Sequence, residues 1–268
     1  MGLALSGCIV QGVSQNALAS PDILGINAGA GLMVVLYVIH QSSTSVLLTV
    51  TVFTLPFLAL LGAGVTAVLI YALAYKRHAG IKPLRLILTG VAVQAGINAL
   101  MTVLVITLDE SQYDFVVNWQ AGSISGTNWK YVLALLPWLL VLIPYVFFKS
   151  RALDVLNLGD DIARGLGMSV ERERRALLAA SVALAASCVA VSGSIGFVGL
   201  IAPHLARRLV GPRHAILLPT CALVGAVLVS VGDTVARVIV QPAELPTGIV
   251  IAIVGAPYFL YLLVKSGR

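Results

Sequence analysis

Apolar residues in this chain fall into long, nearly unbroken runs, not into the alternating or one-sided patterns of soluble elements. A helix needs about 20 mostly apolar residues to cross the hydrocarbon core of a bilayer. Six runs approach or exceed this length, and they predict membrane-spanning helices over residues 23–40, 46–74, 84–108, 129–148, 215–232 and 246–264. The pattern predicts an all-α integral membrane protein, built as a multi-span helical bundle.

The stretch between Arg175 and Arg207 is too long for one plain helix and too short for two full ones. If it runs outward and returns as a hairpin, all but two of the 17 Lys and Arg residues share one side; the exceptions are Lys130 and Arg237. A single span would divide the basic residues far more evenly. Because basic residues concentrate on the cytoplasmic side, we expect the hairpin. The chain then crosses eight times, after a partial opening segment, and ends in the cytoplasm.

The opening segment, residues 1–13, is apolar but spans only about 20 Å as a helix. It lacks the basic region and the cleavage site of a signal peptide. We therefore expect it to be the second half of a helix whose beginning is absent, as in a fragment or a mis-started reading frame.

Composition narrows the class further: 59% of residues are hydrophobic, only 10% are charged, and the mean hydropathy is +1.00. A water-soluble enzyme or a nucleic-acid-binding chain is excluded, because soluble domains carry about 25% charged residues. The three cysteines and four histidines show no metal-ligand spacing. No phosphate-binding GxxxxGK[ST] loop occurs, and the glycines from Gly25 to Gly31 fit close helix packing better than a nucleotide site. We expect no catalytic residue, no metal and no cofactor.

One polar stretch, residues 158–172, is named the elbow here. Asp160 and Asp161 suit the N-terminus of a short helix, and Ile162, Ala163 and Leu166 form an apolar stripe. Glycines end this helix, and a second helix is predicted to begin near Ser169. Such an elbow suits a groove on a cytoplasmic partner, although an ordinary solvated connection remains an alternative at this point.

Asp233 and Arg237 lie four residues apart at the outer end of a predicted span. Their spacing favours an internal ion pair. The alternative is that Arg237 faces an external acidic partner.

The motifs together resemble the FecCD-type permeases of ATP-binding-cassette importers for iron-siderophores, haem and vitamin B12. The resemblance covers essentially the whole chain, in family order, at residues 6–11, 16–21, 24–25, 158–167, 193–199, 203–204, 207, 217–219, 233–237, 244–248 and 255–257. It implies one permease domain over residues 1–268, with about nine of the family's ten helices and only part of the first one present. The protein is then a multi-pass component of the bacterial cell membrane. By their abundance in the family, ferric-siderophore complexes are the expected substrate, with haem and cobalamin as the alternatives.

The resemblance also implies partners: a cytoplasmic ATPase that hydrolyses ATP, an external or periplasmic substrate-binding protein, and a second permease subunit, identical or paralogous. The elbow resembles the coupling helices that seat on the ATPase. The residues carried over for coupling are Gly159, Asp160, Asp161, Ala163, Arg164, Gly165, Leu166 and Gly167. Asn16, Leu18, Ala19 and Pro21 resemble the cytoplasmic gate, although Ala17 replaces a usual proline. Arg237 matches an arginine that docks the binding protein.

An ion-coupled secondary transporter is the main alternative outside this class. Such transporters usually keep ionisable residues near the middle of the membrane, and in the sequence only Asp233 comes near that description. An enzyme embedded in the membrane agrees even less with the sequence, because no cluster of polar residues suited to catalysis is apparent.

Overall fold

The computed structural model describes residues 1–40, 54–75, 83–125, 127, 129–239 and 244–266, and its regular elements there are helices without strands. The helices are α1 (Gly2–Ser14), α2 (Ile26–His40), α3 (Thr54–Ala74), α4 (Pro83–Val105), α5 (Glu110–Ala121), α6 (Trp129–Phe148), α7 (Ser150–Leu156), α8 (Asp160–Gly165), α9 (Val170–Ser192), α10 (Val198–Val210), α11 (His214–Ile239) and α12 (Thr247–Ser266). A 3₁₀ turn, Pro21–Leu24, precedes α2. The predicted helical bundle is confirmed.

Among the described residues, five helices are long and apolar enough to cross a membrane: α3, α4, α6, α9 and α11. Shorter apolar helices are α1, α2 and the apolar part of α12. The predicted span 129–148 coincides with α6, whereas α11 continues seven residues beyond the predicted end at 232. Residues 46–53 of the second predicted span lie outside the described residues.

The stretch between Arg175 and Arg207 divides into two helices, as the predicted hairpin requires, but the two are unequal in length. The first, α9, has 23 residues and includes the charged turn before Arg175. The second, α10, has 13 residues. The loop between them, Gly193–Gly196, is held by protein partners, because the Ser194 amide donates to the Trp119 carbonyl at 3.4 Å and the adjoining Ser192 carbonyl accepts from the Ser123 amide at 2.9 Å. Within a membrane, irregular backbone is tolerated only where protein surrounds it.

The helix α5 was not predicted, although the sequence contains a signal for the start of a helix at this position. Asp109 caps it by accepting from the Gln112 amide at 2.9 Å, and the Gln112 side chain accepts from the Asp109 amide at 3.3 Å. This reciprocal capping box is a local start signal for a helix. Gln112 also donates to the Val38 carbonyl, which fixes α5 to the outer end of α2.

The centre of the bundle is α1, all of whose 13 residues are buried. It packs against α9, α10 and α11. A Cβ added to Gly7 would lie 1.7 Å from the Gly199 carbonyl oxygen, so α1 and α10 touch through their backbones. Small residues permit this approach, and close packing is what holds apolar helices together in lipid.

Candidate functional site

The elbow follows α6 and α7 at the end of the bundle where the basic residues gather, called the inner end here. Its helix α8 begins after Gly159 and is closed by Gly167, both with positive φ, at 102° and 82°. Glycine adopts this conformation without steric cost. A Cβ at Gly159, Gly165 or Gly167 would meet nothing within 4 Å, so these positions have open surroundings. The elbow thus projects from the bundle.

Two ion pairs fasten the elbow and the end of α6 to the first turns of α9. Arg174 donates to Asp160 at 2.7 Å, and only 3% of the Arg174 side chain is exposed. Lys149, which follows α6, meets the carboxylate of Glu173 at 2.8 Å. Among the residues carried over for coupling, Asp160 therefore turns inward as an anchor. Asp161 is fully exposed and pairs loosely with Arg164 at 3.6 Å.

A third polar contact joins α7 to α11. The side chain of Asp154 accepts from the His214 backbone amide at 2.9 Å and contacts His214 Nδ1 at 2.7 Å. His214 is completely buried, with its Nε2 close to Gly12 of α1. Sequence reasoning missed Asp154 and His214, because 60 residues separate them and no local spacing relates them.

The elbow presents an apolar surface away from the bundle. Leu158, Ile162 and Leu166 expose 57%, 54% and 64% of their surfaces. These three side chains are called the elbow face here. Ala163 does not belong to it, because Ala163 is fully buried in the core cluster. The predicted stripe of Ile162, Ala163 and Leu166 is thus divided, since successive residues of a helix point about 100° apart.

The gate residues form a turn that re-enters the bundle after α1. Asn16 Oδ1 accepts from the Leu18 amide at 2.9 Å, and the Ala19 amide donates to the Asn16 carbonyl at 3.1 Å. Ala19 and Pro21 are buried, and Pro21 lies against Gly199 of α10. The structure therefore places the four residues carried over for the gate in one tight turn, with Asn16 and Leu18 half-buried and Ala19 and Pro21 buried in the bundle.

The turn begins at Gln15, a non-glycine residue with φ of 51°. A second such residue, Phe197 with φ of 65°, begins α10, and its ring fills the space beside Gly255 of α12. Residues in this conformation store strain that the surroundings must hold. At Gln15 the holding contact is visible: its side-chain amide donates to the Leu156 carbonyl of α7 at 2.7 Å.

The structure places a second acidic residue, besides Asp233, among the helices. Asp22 lies in the 3₁₀ turn, accepts from the Asn27 side-chain amide, and faces Gly196 of the loop between α9 and α10. Asp22 is therefore a second candidate, besides Asp233, for an ionisable residue within the membrane. Asp22 was missed because it stands between two short apolar segments, where it resembles a loop residue.

At the outer end, Arg237 forms the internal ion pair that its spacing favoured. Arg237 Nε donates to Asp233 at 2.8 Å, and Thr247 donates to the other oxygen of the same carboxylate at 2.9 Å. The guanidinium also lies 3.9 Å from Glu244, and 44% of the Arg237 side chain is exposed. The pair leaves part of the guanidinium available at the surface.

Comparisons with known proteins agree with this architecture. The chain is 50% identical over 266 residues to the iron(3+)-hydroxamate import system permease protein FhuG of Bacillus subtilis (strain 168), covering 99% of this chain and 79% of that protein. It is 39% identical over 263 residues to the Fe(3+) dicitrate transport system permease protein FecD of Escherichia coli (strain K12), with coverages of 98% and 79%.

A solved structure described as an inward-facing conformation of a metal-chelate type ABC transporter matches with a TM-score of 0.86 and 34% identity, covering 98% of this chain and 82% of that one. The family model of the FecCD transport family matches residues 1–265. The chain therefore belongs to the FecCD transport family and is a permease subunit of an ATP-binding-cassette importer in the bacterial cell membrane.

Proposed function

We propose that this permease moves ferric-siderophore complexes from an external binding protein to the cytoplasm, as a single domain over residues 1–268. Its relatives support this substrate class, because their names specify iron(3+)-hydroxamate and Fe(3+) dicitrate import. Haem and cobalamin are the alternative ligands. The chain itself carries no catalytic role in this proposal, and ATP is hydrolysed by a separate cytoplasmic subunit.

The observation that carries the mechanism is the attachment of the elbow. An apolar face of three exposed side chains points away from the bundle, while Asp160 is fixed to Arg174 at the start of α9. Full burial of an exposed large apolar side chain gives about 1.5–3 kcal/mol, so burying these partly exposed side chains against the ATPase would give roughly half of that for each. We assign the elbow, including Gly159–Gly167, as the surface that seats on the ATPase.

Motion of the elbow then reaches the membrane through the ion pairs. Because Arg174 and Glu173 stand in the first turns of α9, and His214 opens α11, displacement of the elbow tilts both long helices. Helices are stiff along their length, so a shift at the inner end moves residues deep in the bundle. ATP binding in the ATPase pair would in this way exchange which end of the pathway is open.

We propose that the turn of Asn16, Leu18, Ala19 and Pro21 narrows the inner exit. Leu18 packs against the cluster of Leu200, Ile201 and Leu262, which joins α10 to α12. Apart from Asp22, Asp233 and the nearly buried Arg174 at the inner end, the residues that the structure describes place little charge inside the bundle, which suits a large ligand that must pass without tight coordination. Movement of α10 would open or close this turn.

The remaining partners follow from the importer class. A second permease subunit, a copy or a paralogue, completes the pathway, and the binding protein docks at the outer end. We assign Arg237 to this docking, because its exposed guanidinium would meet an acidic side chain. Charged contacts at a partly exposed surface mainly speed encounter, and salt weakens them.

The test is uptake by proteoliposomes that contain the full importer, loaded with ATP and supplied with binding protein and a ferric hydroxamate. Uptake should require ATP hydrolysis and should stop when the Walker lysine of the ATPase is replaced. Uptake that persists with the inactive ATPase, driven by an ion gradient, would support a secondary transporter instead. Uptake of haem or cobalamin, but no ferric chelate, would refute the substrate assignment while leaving the importer mechanism intact.

A further inference from the structure

Two of the three cysteines of this chain face each other inside the bundle, where α1 packs on α11. The two helices run in opposite directions and are close at Ala4 and Gly225, since a Cβ added to Gly225 would lie 2.4 Å from the Ala4 Cβ. Residues four apart lie on the same face of a helix, so the next turn toward the inner end brings Cys8 opposite Cys221. The Cys221 thiol donates to the Ala4 carbonyl at 3.3 Å, which agrees with this register.

The two thiols are free, completely buried and in contact with each other. A disulfide requires Cβ atoms about 3.5–4.5 Å apart and Cα atoms about 4.4–6.8 Å apart. The close approach of the helices one turn away, at Ala4 and Gly225, provides a spacing of this order. A disulfide could therefore form here without separating α1 from α11.

A buried histidine points at this pair. His214 has no exposed surface, and its Nε2 makes no hydrogen bond with any residue that the structure describes. This nitrogen lies 3.2 Å from the position that a Gly12 Cβ would take, one helical turn from Cys8, and the ring interacts with the Cys8 thiol. On the other side of the ring, Nδ1 contacts the Asp154 carboxylate at 2.7 Å. A carboxylate that holds the proton on Nδ1 leaves Nε2 as a proton acceptor.

We propose that Cys8 and Cys221 form a redox-sensitive pair, which hydrogen peroxide converts to a disulfide that locks α1 to α11 and arrests transport. The arrest rests on the proposed importer function, whereas the formation of the bond does not. Because both thiols are completely buried, the oxidant must be as small as a peroxide.

The oxidation proceeds in two steps that share one peroxide. First, His214 Nε2 takes the proton of the Cys8 thiol, and the thiolate sulfur attacks one peroxide oxygen. The O–O bond breaks, Cys8 becomes a sulfenic acid, and the departing hydroxide takes the proton back from His214 to form water. In the second step the Cys221 sulfur attacks the sulfenic sulfur. The S–O bond breaks, and the hydroxide leaves with the Cys221 proton as a second water.

A bond at this position would join two parts that the proposed transport cycle moves. α1 leads through Gln15 into the gate turn, while α11 begins at His214, which Asp154 holds to α7 next to the elbow. With the disulfide in place, the elbow could displace α11 only together with α1. Rearrangement of the bundle around the gate turn is then blocked.

The third cysteine supplies a matched control. Cys188 of α9 is only half-buried and lies beside Gly2, about 9 Å along α1 from Cys8. It is therefore the more accessible thiol, but it has neither a second cysteine nor His214 beside it.

The experiment follows bond formation and uptake in the same proteoliposomes, which contain the full importer. After treatment with hydrogen peroxide, free thiols are alkylated in denaturant, and the peptides are mapped by mass spectrometry. A linked peptide of Cys8 and Cys221 should appear, and ferric-hydroxamate uptake should fall by at least the disulfide-bonded fraction. Oxidised glutathione, which is too large for the buried site, should produce neither effect.

Cysteine variants identify the thiols responsible. Cys8→Ala and Cys221→Ala should transport normally before treatment and keep their uptake after it. Cys188→Ala should lose uptake to the same extent as the unchanged protein. An importer without the linked peptide after peroxide treatment would overturn the proposal. A linked peptide with full uptake would refute the arrest, and equal loss of uptake in Cys8→Ala and the unchanged protein would place the sensitive thiol elsewhere.

The proton acceptor is tested by the rate at which the linked peptide forms. His214→Gln should lower this rate by about tenfold or more, because a positioned proton acceptor contributes roughly 10²–10⁴-fold. If this variant does not accumulate, Asp154→Asn tests the same relay at a side chain that is 39% exposed. An unchanged rate would remove His214 from the chemistry. Uptake that is absent before any treatment would refute the proposed function alone, since the linked peptide is measured without transport.

Discussion

The pair between Asp160 and Arg174 allows a sharp test of the coupling mechanism. Asp160→Asn removes the charge that holds the nearly buried Arg174, whereas Asp161→Asn removes a charge that is fully exposed. The two substitutions affect neighbouring residues and make the same chemical change, from a carboxylate to an amide. They differ only in whether the lost carboxylate anchors the elbow to α9.

The magnitude follows from the geometry of the pair. A hydrogen bond of 2.7 Å between charged groups contributes about 1.5–3 kcal/mol when well shielded. Because 34% of the Asp160 side chain is exposed, we take about 1–2 kcal/mol. A loss of this size shifts the equilibrium constant between the anchored and the displaced position of the elbow about 5- to 30-fold. For Asp161→Asn, we expect no measurable shift.

The assay measures ferric-hydroxamate uptake and ATP hydrolysis in the same proteoliposomes. Asp160→Asn should lower the amount of substrate moved for each ATP severalfold while hydrolysis continues. The reason is that the ATPase still closes, but a smaller part of its movement is transmitted to α9. Asp161→Asn should match the unchanged protein. Combining Asp160→Asn with Arg174→Gln should cost less than the sum of the two single changes, as expected for residues in contact.

Two outcomes would refute this reasoning. Uptake per ATP in Asp160→Asn equal to that of the unchanged protein would show that the ion pair transmits no motion. Equal losses in both variants would show that the general negative charge of the elbow matters, rather than its attachment to α9. In either case membrane abundance must be unchanged, so that a folding defect is not mistaken for uncoupling.

Three further predictions concern other contacts. Gly7→Ala should lower the unfolding temperature of the detergent-solubilised protein, because overpacking at the Gly199 carbonyl costs about 1–3 kcal/mol, whereas Gly96→Ala, with open space around its Cβ, should not. Ile162→Lys should weaken co-purification of the ATPase by removing an apolar contact, with no loss of abundance, since the side chain is exposed. Arg237→Glu should slow association of the binding protein, measured by surface plasmon resonance at low and high salt.

Each of these predictions has its own contrary result. Equal stability of the two alanine variants would mean that α1 can shift away from α10 at no cost. Undiminished ATPase recovery with Ile162→Lys would remove the elbow face from the interface. If Arg237→Glu keeps full association rates but reduces abundance, the pair with Asp233 is purely structural.

The membrane-spanning helices were the most predictable part of the fold, because their signal is local. A run such as 129–148 forms a helix in lipid, because a single segment can satisfy its own backbone polar groups there only as a helix. The ends of helices were less predictable. Near the outer end of α11, Asp233 and Arg237 looked like the edge of a span, yet their ion pair and the Thr247 hydroxyl let the helix continue to Ile239.

The contacts that organise the inner end could not be predicted from the sequence. Three pairs of side chains meet there: Asp160 with Arg174, Lys149 with Glu173, and Asp154 with His214. The two members of each pair are 14, 24 and 60 positions apart in the sequence, respectively. Each residue alone looks like an ordinary charged residue of a cytoplasmic loop. The family motif includes Asp160, but which of the two aspartates turns inward depends on the φ of Gly159 and the orientation of α8, which only the tertiary structure fixes.

The two kinds of contact in this protein suit two different solvents. Inside the bundle, lipid competes equally for apolar surface, so helices are held by close backbone approach, as at Gly7. At the inner end, water lowers the free-energy cost of placing charged groups close to the protein. Ion pairs there can hold the elbow against α9 and still allow it to move. Gln15 connects the two regions, since it ends α1, begins the gate turn and donates to the Leu156 carbonyl of α7. In the proposed cycle, a displacement of α7 with the elbow would therefore pull directly on the strained residue from which the gate turn starts, in parallel with the tilt of α9.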